Sequence, residues 1–223
     1  MTRLAIFDCD GTLVDSQANI CLAMEECFAG AGLPMPDRAR TRKVVGLSLV
    51  EAMQQMLPDA AAERHAALAQ DYKRAFQHLR GRGLVSEPLY DGIAELIATL
   101  EEEGWLLGVA TGKSDRGLAL CLADHGLADR FVTLQTADRH PSKPHPAMIA
   151  AALAETGASA QHSMMIGDTS YDMAMAKAAG VTAVGVAWGY HEPQELRAAG
   201  ADHIADGPGD ISRLASQLMR AFA

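Results

Sequence analysis

The chain has 223 residues, 49% of them hydrophobic, enough for one large domain or for a core with a smaller insert. Its formal net charge of −9 argues against a nucleic-acid surface, which needs a basic stripe. No apolar run approaches a membrane span, and Asp8 and Asp10 interrupt the apolar stretch near the N-terminus, so neither a membrane helix nor a signal peptide is expected. Cys9, Cys21, Cys27 and Cys121 form no CxxC pair and no zinc spacing. They read as reduced thiols of a cytoplasmic protein, mostly filling its core. Cys9 is not expected to react, because the flanking carboxylates raise a thiol pKa.

The first element is the run Leu4-Ala5-Ile6-Phe7, a short buried strand that delivers Asp8 to its C-terminal end. Asp8-Cys9-Asp10-Gly11-Thr12 follows. Two carboxylates one residue apart, then Gly and Thr, suit a divalent metal and a phosphate better than a plain turn.

Residues 16–87 show no convincing strand. Ile20, Met24, Cys27, Phe28 and Ala31 recur at helical spacing, as do Leu68, Tyr72, Ala75, Phe76 and Leu79. Pro34, Pro36 and Pro58 punctuate the segment. About four helices are expected, inserted between the first strand and the rest of a sheet. The insert carries 9 Lys and Arg against 8 Asp and Glu, whereas the remainder is strongly acidic. Hinges are expected near residues 14–16 and 85–90, which divides the chain into a core of residues 1–15 and 88–223 and an insert of residues 16–87.

From residue 88 onward strands and helices alternate. A helix over 91–103 leads to a strand over 105–110. A helix over 114–125 leads to a strand over 131–134. A helix opening at Pro144 and Pro146 is followed by strands over 163–166 and 181–186, with a helix carrying Met173, Ala176 and Lys177 between them. The pattern predicts an α/β fold, a doubly wound parallel sheet with helices on both faces.

In such a sheet ligands bind beyond the carboxyl ends of the strands. Asp8 and Asp10, Thr111-Gly112, Lys143, and Gly167-Asp168 with Asp172 each follow a predicted strand, so four separate segments converge. The residue types suit phosphoryl transfer. A Mg²⁺ held by Asp8 and Asp168 offsets the charge that a phosphate presents to an attacking carboxylate. Lys143 adds a cation. The Thr111 hydroxyl and the backbone N–H groups around Gly11 and Gly112 complete a cradle for phosphate oxygens. Asp8 is then the nucleophile, and Asp10 the acid that protonates the leaving alkoxide and the base that activates water. Asp172, four residues after Asp168, takes a secondary place around the metal. In the insert, Arg42, Lys43, Gly46 and Ser48 are the candidate substrate contacts, with Tyr72, Lys73 and Arg74 further on. A cation there suits a carboxylate-bearing leaving group such as glycolate.

These segments resemble the haloacid dehalogenase-like hydrolase superfamily. Asp8-Cys9-Asp10-Gly11-Thr12 matches its first motif, Thr111 its second, Lys143 in Lys143-Pro144-His145-Pro146 its third, and Gly167-Asp168 with Asp172 its fourth. The resemblance implies a Rossmann-like core with sheet order 5-4-1-2-3, a helical cap domain, Mg²⁺ dependence, and a backbone carbonyl of Asp10 on the metal. Leu13-Val14-Asp15-Ser16, Val45-Gly46-Leu47-Ser48-Leu49 and Pro88-Leu89-Tyr90-Asp91-Gly92 look like the phosphoglycolate phosphatase group. Asp10 speaks against dehalogenases and phosphonatases, which lack an acid at this place. The expected activity is hydrolysis of a small phosphorylated metabolite by a monomer or homodimer. A phosphosugar mutase of the β-phosphoglucomutase type, and a non-catalytic module that binds a phosphometabolite, remain alternatives.

Overall fold

The computed structural model describes residues 2–221. Six strands form one parallel sheet: β1 (Leu4–Phe7), β2 (Leu106–Thr111), β3 (Thr133–Thr136), β4 (Ser163–Gly167), β5 (Thr182–Val186) and β6 (His203–Ala205). They lie side by side in the order β3-β2-β1-β4-β5-β6. The five-strand order 5-4-1-2-3 is present, and β6 extends it at the β5 edge. β6 left no sequence signal because it is three residues long and its first residue, His203, is exposed.

β1 is central and fully buried, and its side chains alternate between two cores. Ala5 and Phe7 pack with Leu107 and Val109 of β2 and with α5 (Ile93–Glu102), α6 (Asp115–Asp124) and α10 (Pro208–Ala221). Leu4 and Ile6 pack on the other face with α7 (Ala147–Thr156), α8 (Ser170–Ala179) and α9 (Pro193–Ala198). The apolar run of β1 is continuous because both faces of the sheet are covered.

One strand differs from expectation. The segment expected at 131–134 pairs instead over Thr133–Thr136, with Val109 of β2 opposite Leu134. Phe131 precedes the strand and meets Phe7 edge-on, ring centroids 6.3 Å apart. Buried Gln135 continues the strand, its Nε2 donating to Thr133 Oγ1 and to Glu155. A hydrogen-bonded polar residue thus occupies a strand position where an apolar pattern stops.

Between β1 and α5 the chain forms α1 (Gln17–Gly30), α2 (Arg38–Lys43), α3 (Leu49–Met56) and α4 (Ala62–Gly81). These helices enclose a core of their own, which includes Met24, Phe28, Met53, Leu68 and Leu79. The segments entering and leaving this insert run antiparallel. Asp15 N–H donates to Pro88 O at 2.8 Å and Tyr90 N–H to Leu13 O at 3.0 Å. The strand ends of the main sheet therefore face the underside of the helical insert.

Leu68 is fully buried between α1 and α4. Leu68→Ala is expected to cost about 2–5 kcal/mol of stability through lost burial and the cavity left behind, measured as a lower midpoint in urea unfolding.

Candidate active site

The ends of β1 and β4 lie in register, Phe7 opposite Ile166, and Asp8 N–H donates to Ile166 O at 2.9 Å. That pairing sets Asp8 beside Asp168. α8 then returns Asp172 to the same place, because Thr169 caps the helix. The Thr169 side chain accepts from Asp172 N–H, and Asp172 Oδ2 accepts from Thr169 N–H (3.0 Å) and Oγ1 (2.7 Å). Oxygens of Asp8, Asp168 and Asp172 all lie within 4.8 Å of one another, and all three residues are buried.

Lys143 is buried among them. Its Nζ stands 2.9 Å from Asp8 Oδ1 and 2.6 Å from Asp172 Oδ1. Burial opposes its charge, but Asp172 and Asp8 outweigh burial and hold its pKa above the usual range. Burial raises the Asp168 carboxyl well above the carboxylate range. Asp8 and Asp172 add to the rise, while Tyr190 N–H and the Thr12 hydroxyl, each 2.9 Å away, oppose it. Burial, partly offset by Lys143, pushes Asp8 up to about 6.

Neither carboxylate oxygen of Asp8 receives an aligned hydrogen bond. The ammonium of Lys143 is near enough for an ion pair but lies off the hydrogen-bonding direction. Three buried carboxylates against one ammonium leave an excess of negative charge. That excess and the two bare oxygens fit a hard divalent cation such as Mg²⁺, which binds through a few carboxylates and keeps positions for other oxygens. The Asp10 side chain, expected as acid and base rather than as a metal ligand, stands apart from the three carboxylates. Its Oδ1 accepts from Ser16 Oγ at 2.5 Å and from Lys113 Nζ at 2.6 Å.

Gly11 has φ +83°, and a Cβ there would meet Asp168 Oδ2 at 2.2 Å, so glycine alone permits this approach. At Gly112 a Cβ would meet the carbonyl oxygens of Leu47 and Gly46 at 2.6 and 2.8 Å. The loop before α3 thus rests directly on the backbone after β2. Ser48 N–H also donates to Ser142 Oγ at 2.8 Å, next to Lys143. Between insert and sheet lies a cavity of about 610 Å³ whose lining includes Asp8, Asp10, Thr111, Gly112, Gly46 and Ser48.

Three of the residues expected near the substrate stand apart from this cavity. Arg42 and Lys43 do not line this cavity. Lys43 instead reaches Glu195 of α9, Nζ to Oε2 2.5 Å, and pins the insert to the core. Arg74 is paired with Asp71 on the exposed side of α4. Charge at those positions was legible, but Lys43 and Arg74 are engaged by acidic partners instead. Lys113, which sequence reasoning passed over, stands inside the site. Its Nζ touches Asp10 and also Glu87 at 2.9 Å, and Glu87 in turn accepts from Arg80 at 2.6 Å. Burial opposes the Lys113 charge, and the acidic neighbours, Asp10 foremost, keep its pKa well above the usual value. Its place directly after Thr111-Gly112 was the available signal. Tyr190 gave none, because it serves Asp168 through its backbone N–H.

The profile of haloacid dehalogenase-like hydrolases matches residues 5–186. The chain is 36% identical to the probable phosphatase IndB of Dickeya dadantii, over 99% of this chain and 96% of that one. It is 29% identical to a phosphoglycolate phosphatase of Nitrosococcus oceani, over 96% and 97%. Its structure superposes on that of a hydrolase from Pseudomonas syringae with a TM-score of 0.85 at 25% identity, covering 97% of this chain and 99% of the other.

The excess of buried carboxylates predicts opposite effects for two substitutions in chelator. The folded protein keeps the Asp8 proton to about pH 6, whereas its unperturbed value is 3.8. Stability therefore falls as pH rises through that window. Asp8→Asn removes this loss and is expected to raise the melting temperature at pH 8 by about 2–6 °C, while Lys143→Met strands buried charge and costs about 3–5 kcal/mol. Thermal melts with and without Mg²⁺ check both. Mg²⁺ is expected to raise the wild-type midpoint and to leave Asp8→Asn nearly unmoved.

Proposed function

The chain belongs to the haloacid dehalogenase-like hydrolases and is a phosphatase of that family, and from that premise we propose that it hydrolyses a phosphomonoester through an aspartyl-phosphate on Asp8, with Mg²⁺ as cofactor. The carrying observation is the Asp8 carboxylate, partnered by Lys143 alone in a buried acidic cluster at the edge of a cavity, with Asp10 on the same cavity's wall. Mg²⁺ bound at Asp8, Asp168 and Asp172 supplies charge neutralisation for the phosphate oxygens.

The chain's own groups do the rest. Lys143 holds Asp8 in place and adds a second positive charge. An Asp8 oxygen forms a bond to phosphorus as the ester oxygen departs, and Asp10 gives that oxygen its proton. Water then attacks phosphorus, Asp10 takes the proton, and the Asp8–phosphorus bond breaks to release inorganic phosphate. Ser16 and Lys113 position Asp10 for both transfers by holding Oδ1. The insert acts as a cap that excludes bulk water and selects the leaving group. Phosphoglycolate, suggested by the motif continuations, is the reference substrate.

Phosphate release from a panel of phosphomonoesters, with Mg²⁺ and then with chelator, tests this reading. Chelator is expected to abolish release. Asp8→Asn is expected to lower kcat by about 10³-fold or more, since its amide cannot form the covalent intermediate. Wild-type rates in that variant refute the mechanism. Conversion of a sugar phosphate to its isomer, without phosphate release, assigns the chain to the mutases instead.

A further inference from the structure

The cavity beside Asp8 measures about 610 Å³, within the range of about 300–1,000 Å³ that encloses most of a drug-sized ligand. A phosphoryl group and a two-carbon acid leave most of it unfilled. Its lining is apolar over a long stretch. Met24 of α1, Val45 and Leu47 before α3, Tyr72 and Phe76 of α4, and Leu120 of α6 all face it. The Tyr72 and Phe76 rings lie 6.1 Å apart in a tilted pair. Leu120 and Val50, 36% exposed each, carry the apolar lining out to solvent.

The charges of the cavity point the same way. Four Lys and Arg side chains line it: Lys73, Arg80, Lys113 and Arg116. Lys113 is held by Asp10 and Glu87, Arg80 by Glu87 and Asp124, and Lys73 by Asp138. Arg116 is exposed and makes no ion pair among the described residues, so it can meet a ligand at the rim alone. A leaving group with its own carboxylate finds no uncompensated cation deep in the cavity. An apolar one finds aromatic and aliphatic walls.

Given the phosphatase reading above, we infer that the preferred substrate is a phosphomonoester whose alcohol carries an apolar body of ring size or larger. The phosphate lies at Asp8, and the apolar body lies between Leu47, Tyr72, Phe76 and Leu120. This cleft selects by burial, which strengthens transition-state binding by up to about fourfold for each methylene enclosed.

The test uses the full chain with Mg²⁺ and the ethyl, butyl, hexyl and 2-phenylethyl esters of phosphate, beside phosphoglycolate. The four esters derive from primary alcohols of similar acidity, so differences report the cleft rather than the leaving group. We expect kcat/KM to rise about tenfold or more from ethyl to hexyl and 2-phenylethyl phosphate, with phosphoglycolate no better than ethyl phosphate. Phe76→Ala is expected to lower the hexyl-to-ethyl ratio about tenfold. Leu120→Ser, at an exposed position that folding tolerates, is expected to lower it about threefold. A flat series, or phosphoglycolate ahead of hexyl phosphate, overturns the inference while Mg²⁺-dependent release leaves the phosphatase standing. A ratio unchanged in both variants overturns the seating in this cleft. No release from any ester, nor from acetyl phosphate, overturns the phosphatase reading and the inference with it.

Discussion

Everything in the site depends on one buried ammonium among three buried carboxylates. Lys143 contacts Asp8 and Asp172 directly, and Asp168 completes the acidic set. In a low-dielectric interior such a group is costly unless each member is fixed and partnered. Sheet and helix ends supply the fixing. The partnering is uneven, and the unevenness separates the roles. Asp172 accepts from the Thr169 backbone and hydroxyl in the α8 capping box and from Lys143. Asp168 accepts from Thr12 and Tyr190. Asp8 meets only the Lys143 ammonium, at 2.9 Å from Oδ1, and is the least committed of the three. A carboxylate partnered so lightly suits bond formation to an electrophile, whereas its two neighbours are already committed as supports.

A second chain of charges joins core to insert. One ammonium, Lys113, bridges Asp10 at the β1 end and Glu87 in the segment that returns from the insert, and Arg80 of α4 continues the chain. Asp10 is also tied to Ser16, where the insert begins. The side chain proposed as acid and base is thus held by residues at both connections between the two parts. These connections pair antiparallel over Val14 and Leu89. The geometry of Asp10 therefore follows the placement of the insert.

The legibility of the sequence follows from what each feature is made of. Strand ends that deliver Asp8, Thr111 and Asp168 were readable because a run of buried apolar residues stops abruptly at a polar one. The sheet order came through the resemblance of those segments to a known family, since periodicity alone cannot order parallel strands. β3 was displaced in the reading because Gln135 and Thr133 satisfy each other inside the sheet, and hydropathy cannot see a hydrogen bond. β6 was too short for a period to emerge. Arg42 and Lys43 carry a charge that suits a phosphate ester, yet neither lines the cavity, and the partner of Lys43 on α9 is 152 residues away in sequence. Lys113 was overlooked because its role lies in partners 26 and 103 residues away in sequence.

The same pairing that organises the floor also shapes the wall. Each Lys or Arg spent on Asp10, Glu87 or Asp138 is one fewer to recognise charge on a ligand. What the insert then adds is aromatic and aliphatic surface. The carboxyl ends of the central strands, rich in carboxylates and with Lys143 among them, face an insert that contributes Tyr72 and Phe76 from α4 and Leu47 from the loop before α3. A phosphomonoester with a polar head and an apolar body has the same two-ended character. Discrimination by apolar burial is graded, because each methylene adds a small and similar increment. Discrimination by a buried charge pair is steep, because a missing partner strands a charge. With its interior cations already paired, the proposed cleft would work on the graded side, and the steep selection would fall on the phosphoryl group assigned to Asp8.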